Sequence, residues 1–156
     1  MKSAVHAPFF EDFAAGETWR TYRRTVTDAD LASFTQLAGL MLPIFVDHDW
    51  AEKNSPYGGP ICPGFLICTF AAGMMESVLG ANTLAGLGMD KFVFRTPVRP
   101  GDTLCCDVKV AEAKPASDGK RGILSLEIGV NNQRDERVLD FQAKVLMNRR
   151  GSILTR

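Results

Sequence analysis

The sequence predicts an α+β chain in which one antiparallel sheet packs against a long, nearly all-apolar central helix. Three observations predict it. The segment Gly64 to Gly80 leaves no broad polar face, as expected of a helix buried on most sides. Beyond residue 100, apolar and polar residues alternate in successive runs, the pattern of antiparallel strands with one buried face. The order is strand, then helices, then strands, which is the segregated arrangement of α+β chains. At 156 residues the chain fits a single domain. That is long enough to bury a core without disulfides or metals.

The elements follow in order. Met1 to Gly16 reads as an irregular arm with aromatic anchors Phe9, Phe10 and Phe13. Thr18 to Val26 is rich in β-formers and reads as a first strand. Thr27 is placed to cap a helix, with Asp30 three residues on completing a capping box. That helix runs to about Ala38, with Leu31, Phe34, Leu37 and Ala38 on one stripe, and Gly39 ends it. Leu40 to Val46 is an apolar run broken by Pro43. Asp47 or His48 then opens a short helical turn through Lys53. Asn54 to Gly64 carries Pro56, Gly58, Gly59, Pro60 and Pro63, so it is an ordered, non-helical loop.

The central helix would be ~25 Å long at 1.5 Å per residue. Gly73 in its middle costs about 1 kcal/mol relative to Ala, which predicts close packing against the sheet there. Met89 to Pro97 is the next strand. Thr103 to Glu112 alternates Leu104, Cys106, Val108 and Val110 against Cys105, Asp107 and Lys109. Gly122 to Asn131 turns Leu124, Leu126, Ile128 and Val130 to one face, and Val138 to Asn148 does so with Leu139, Phe141, Ala143, Val145 and Met147. Pro115 to Lys120 and Asn132 to Glu136 have turn chemistry. Pro97, Pro100 and Gly101 make a rigid turn in which Asp102 bonds backbone amides.

Eighteen Lys plus Arg balance eighteen Asp plus Glu, which argues against a nucleic-acid partner. Apolar residues are 46% and charged residues 23%, a globular balance. Cys62, Cys68, Cys105 and Cys106 form no CxxC, and His6 and His48 stand far apart. No metal or other cofactor is therefore expected, and the cysteines read as free thiols of a reducing compartment. Cys105 and Cys106, being adjacent on a strand, point to opposite faces. No stretch approaches the ~20 apolar residues of a membrane span, and the N-terminus lacks the apolar core of a signal peptide. No membrane association is expected, and the expected address is cytoplasmic.

Several stretches carry a resemblance: FEDFAAGE (Phe10 to Glu17), TVTDADLASFTQLAG (Thr25 to Gly39), YGGPICPGF (Tyr57 to Phe65) and FRTPVRPGDTL (Phe94 to Leu104). They resemble the MaoC-like dehydratase family of hotdog proteins, over about residues 10–148. The arm, 1–16, and a tail, 149–156, flank that unit. The resemblance implies a hotdog fold, a CoA thioester as substrate or ligand, and a homodimer or higher homo-oligomer, because hotdog sites generally form between two copies. Active members hydrate trans-2-enoyl-CoA to (R)-3-hydroxyacyl-CoA, or run the reverse. Their Asp-x-Asn-Pro-x-His-x-Asp signature supplies the general acid–base pair.

Aligned on Pro43 and Asp47, this chain reads Leu40-Met41-Leu42-Pro43-Ile44-Phe45-Val46-Asp47. Leu40, Leu42 and Phe45 thus stand in the Asp, Asn and His slots, and none can move a proton. Pro63 stands where the family commonly has His. Asp47, His48 and Asp49 are the candidate replacements, unless Asp47 caps the short helix and His48 lies on its exposed first turn. Cys62 is a candidate nucleophile, if the helix dipole lowers its pKa, or a small loop residue filling a gap. The resemblance gives the amide at Gly64, with Phe65 beside it, the role of holding the thioester carbonyl, an oxyanion-type contact. Leu40, Leu42 and Phe45 would line the acyl pocket. Arg95 and Arg99 are candidate partners for the CoA phosphates, with Lys114, Lys120 and Arg121 further possibilities. Three readings remain open: an acyl-CoA hydratase or dehydratase, a binding protein or supporting subunit without hydration, and a hotdog thioesterase.

Overall fold

A computed structural model describes residues 7–152. His6, the start of the arm and the end of the tail lie outside the described residues. The strands are β1 (Thr18–Arg20), β2 (Arg24–Thr25), β3 (Thr83–Phe94), β4 (Thr103–Pro115), β5 (Arg121–Asn131) and β6 (Arg137–Asn148). The helices are α1 (Asp28–Ala38), α2 (Pro43–Val46), α3 (His48–Asn54) and α4 (Gly64–Leu79). The sheet order is β1-β4-β5-β6-β3, with β2 also pairing to β4, and every pairing is antiparallel. Strand β3 is therefore an edge.

The core follows from the alternation. Register sets Val108 opposite Ile128, Ile128 opposite Phe141, and Leu126 opposite Ala143, so one face of three strands is continuously apolar. Leu66, Ile67, Phe70, Ala71, Met74 and Met75 of α4 are buried with that face in one cluster. Burying each large side chain contributes about 1.5–3 kcal/mol. No helix among the described residues is long and apolar enough to cross a membrane.

Helix α1 is capped as its sequence dictates. The Thr27 hydroxyl accepts the Asp30 amide at 3.1 Å, and the Asp30 carboxylate accepts the Thr27 amide at 2.9 Å. Gly39 closes the helix at φ 68°, the left-handed cap. Pro43 does not break the apolar run. It sits in the first turn of α2, where a missing N–H costs nothing.

Four further expectations need correction. The first strand is split in two. The Thr21 hydroxyl accepts the Cys106 amide at 2.9 Å and replaces a ladder bond there. The stripe on α1 is Leu31, Phe34 and Thr35, while Leu37 is 89% exposed because the last turn of the helix buries nothing. Strand β3 begins at Thr83 rather than Met89. Its irregular register between Gly86 and Gly88 and between Asp90 and Val93 erases the alternation that would have revealed it. Helix α4 is buried on most sides as expected, with Phe65, Thr69, Gly73 and Glu76 on its exposed stripe. A Cβ at Gly73 would meet nothing within 4 Å, so close packing is not why that glycine is there. Cys105 and Cys106 are both buried and free. Cys106 joins the core cluster, and Cys105 does not.

Candidate functional site

The site grows from the way the loop before α4 is tied down. The Cys62 amide donates to the Val98 carbonyl at 2.7 Å, and the Ile61 amide to Ile44 at 3.3 Å. This sets the loop against the turn that follows β3. The turn is itself held: the Asp102 carboxylate accepts the Arg99 amide at 2.9 Å and the Gln133 side-chain amide at 2.7 Å. Helix α4 then starts at Gly64. Its N-cap, Pro63, supplies no side-chain acceptor. The Gly64 and Phe65 amides give no hydrogen bond to any other described group, the usual state of an uncapped helix start.

The Phe94 ring from β3 lies directly over this start. A Cβ at Gly64 would come within 2.6 Å of two ring atoms, so only glycine lets strand and helix approach this closely. Between them opens a groove of about 370 Å³, lined by Tyr57, Ile61, Cys62, Gly64, Phe65, Ile67, Phe94, Arg95, Thr96, Pro97 and Val98. Of the sequence candidates, the fold brings Cys62, Gly64, Phe65 and Arg95 together here.

The groove can hold an apolar group and offer amides to an oxygen, but its own side chains are poorly suited to moving protons. No Asp, Glu or His lines it. The Thr96 hydroxyl already donates to the Arg137 carbonyl at 3.2 Å. The Arg95 guanidinium is paired with Asp140. The Cys62 thiol is pushed up to about 12 from the usual 9.0 by burial, reinforced by the charges of Asp102, Asp28 and Asp30. The nucleophile reading needed the helix dipole to lower it; desolvation and nearby carboxylates prevail, and a thiol so shifted is a poor nucleophile near neutral pH.

The other candidates lie elsewhere. Phe45 and His48 line a separate hollow of about 250 Å³ with Leu31, Met41, Val46 and Asp28, where α2 and the first residue of α3 meet α1. Leu40 is half-buried and Leu42 is 59% exposed, and neither lines the Gly64 groove. Asp47 caps α3, accepting the Trp50 amide at 2.9 Å, and His48 is exposed on the first turn. Arg99 rests against the Gly58–Gly59 turn. Lys114 pairs with Glu112 and Arg121 with Asp118. Both, with Lys120, sit at the far end of the 13-residue strand β4 from Arg99, ~40 Å of extended chain away.

Sequence reasoning missed Phe94 as the lid on Gly64. Thirty residues separate the two, and nothing in their spacing signals contact. Among the described residues, no group of three or more His, Cys, Asp or Glu is placed to hold a metal.

Comparison with known proteins bears on the family and the fold. Residues 12–131 match the family described as MaoC like domain. The chain is 33% identical over 144 residues to beta-methylmalyl-CoA dehydratase of Chloroflexus aurantiacus, covering 91% of this chain and 40% of that protein. It therefore spans about two fifths of that relative's length. It is 30% identical over 149 residues to 3-hydroxybutyryl-CoA dehydratase of Methylorubrum extorquens, covering 93% of this chain and 87% of that one. A Mycobacterium tuberculosis protein described as a double hotdog fold superposes with a TM-score of 0.79 at 23% identity, covering 92% of this chain and 44% of that one. That likeness concerns the fold, and the helix wrapped by an antiparallel sheet is a hotdog.

Proposed function

Because the chain belongs to the MaoC-like domain family, we propose that it holds an acyl-CoA thioester at the start of α4 without hydrating it. The observation that carries this reading is the groove itself. It presents two uncommitted amides, at Gly64 and Phe65, to a carbonyl oxygen, and it contains no acid–base side chain beside them. Hydration of an enoyl thioester needs a proton delivered to one carbon and a water activated at the next. By the resemblance in sequence, Leu40, Leu42 and Phe45 would stand in the slots that supply those groups. The relatives named for CoA esters support the ligand class.

The unit works as a homodimer in this reading. Strand β3 is a 12-residue edge carrying exposed Leu84, Leu87, Met89, Val93 and Phe94. An apolar edge of this kind invites pairing. A solution mass equal to one chain would contradict this pairing. Free, buried cysteines suit the reducing cytoplasm.

The direct test is an absorbance assay. Purified protein mixed with crotonyl-CoA is expected to leave the enoyl absorbance unchanged. Turnover that disappears in a His48→Ala variant would instead make the chain a hydratase using His48. Release of free CoA would make it a thioesterase.

A further inference from the structure

We infer that the hollow at the C-terminal end of α4 is a second binding site, and that it takes a primary ammonium carried on a short apolar chain. It lies at the other end of α4 from Gly64 and does not depend on the thioester reading.

The hollow measures about 590 Å³ and is bounded by the last turns of α4, by β3 and by β6. That is ample for a small ligand. Met75, Leu79, Met89 and Val145 give it apolar walls. Its polar groups are few and share one preference. Among the described residues, Glu76 is the one charged side chain lining it, and no Lys, Arg or His does so. Glu76 pairs with no cation among the described residues.

The place of Glu76 in its helix is electrostatically unfavourable. It stands in the last turn of α4, where the aligned peptide dipoles leave partial negative charge. That turn carries no basic residue. The Leu79 carbonyl in the same turn receives no hydrogen bond from any other described group. A full carboxylate and the negative end of a helix thus add, and nothing beside them offsets either. A cation seated in the hollow is favoured by both.

A second observation is independent of charge. Thr83 lines the hollow from the start of β3, tied by its amide to the Gly80 carbonyl at 3.3 Å. Its hydroxyl oxygen is buried and makes no hydrogen bond, alone in this among the side-chain oxygens and nitrogens of the described residues. Buried polar atoms are nearly always satisfied, so this one marks a place for a partner from outside the chain. A water would satisfy the hydroxyl but would neutralise neither Glu76 nor the helix end. An ammonium has three N–H donors and no acceptor, which suits a carboxylate, a helix-end carbonyl and a hydroxyl oxygen together. The apolar walls then favour an alkyl chain over a bare ion.

The test titrates hexylammonium chloride into the purified full chain while backbone amide shifts are followed by NMR. 1-Hexanol serves as the neutral counterpart. Hexylammonium should bind saturably, with its largest shifts at Gly80, Ala81 and Thr83, and 1-hexanol should bind about 5-fold more weakly. Glu76→Gln, a substitution at an exposed position, should weaken hexylammonium about 5-fold and leave 1-hexanol within about 2-fold. Thr83→Val, which replaces the hydroxyl with a methyl, should weaken hexylammonium about 3-fold or more. The amide spectrum of each variant shows that it is folded. Equal affinity of the parent for hexylammonium and 1-hexanol would overturn the inference, since the hollow would then be merely apolar. Unchanged hexylammonium affinity in Glu76→Gln or Thr83→Val would also overturn it. So would shifts centred elsewhere, or a parent that does not bind hexylammonium, as when a second copy fills the hollow.

Discussion

Gly64→Ala should weaken crotonyl-CoA binding at least about 10-fold while changing stability by less than about 1 kcal/mol. The added Cβ would stand 2.6 Å from the Phe94 ring, well inside contact distance. Something must move, and the cheaper movement is the ring. Phe94 is half exposed, whereas α4 is fixed by its buried face in the core. Swung aside, the ring fills the groove and covers the Gly64 and Phe65 amides proposed to hold the thioester. A second substitution separates this cause from damage to the helix: in Gly64→Ala with Phe94→Ala the obstruction is gone, and binding should largely return. Calorimetry on the three proteins decides it. Failure of the double variant to recover would place the fault in the helix start itself.

Gly122→Ala should destabilise the protein by about 2–4 kcal/mol, measured as a lower urea midpoint. Gly122 lies in β5, and Phe10 from the N-terminal arm packs flat on it. A Cβ there would come 2.2 Å from one ring atom and 2.3 Å from the ring's attachment point. Here the neighbour cannot swing away. Phe10 is 7% exposed and sits in a short turn whose Glu11 receives the Arg149 side chain at 2.9 Å and the Arg150 amide at 3.1 Å. The whole arm must lift, and the burial of Phe10 is lost with it. Phe10→Ala alone should cost a similar amount. The double variant should cost little more than either single one, because both remove the same contact.

The sequence revealed those parts of the fold whose signals are local. The capping pair Thr27 and Asp30, the terminator Gly39, and the alternation in β4, β5 and β6 each act within a few residues, and each is present as read. Strand β3 was hidden by its irregular register, which breaks the period of two around Gly86 and Gly88. Leu37 and Phe65 misled for the opposite reason. An apolar residue on a helix signals a face that can be covered, and whether it is covered depends on neighbours distant in sequence.

The site was legible in part for the same reason. Gly64 could be singled out, but the Phe94 ring above it could not. Cys62 looked activated by its place before a helix, since burial and the carboxylates of Asp102, Asp28 and Asp30 are properties of the folded surroundings. Arg95 and Arg99 looked equivalent as letters. They are distinguished by Asp140, which β6 places beside Arg95 and not beside Arg99.

The central claim is binding without hydration. The measurement that tests it most directly is a calorimetric titration of purified protein with crotonyl-CoA, followed by analysis of the CoA ester recovered from the cell. Saturable binding with crotonyl-CoA recovered unchanged is the predicted result. Recovery of 3-hydroxybutyryl-CoA, formed in proportion to protein and time, would contradict it.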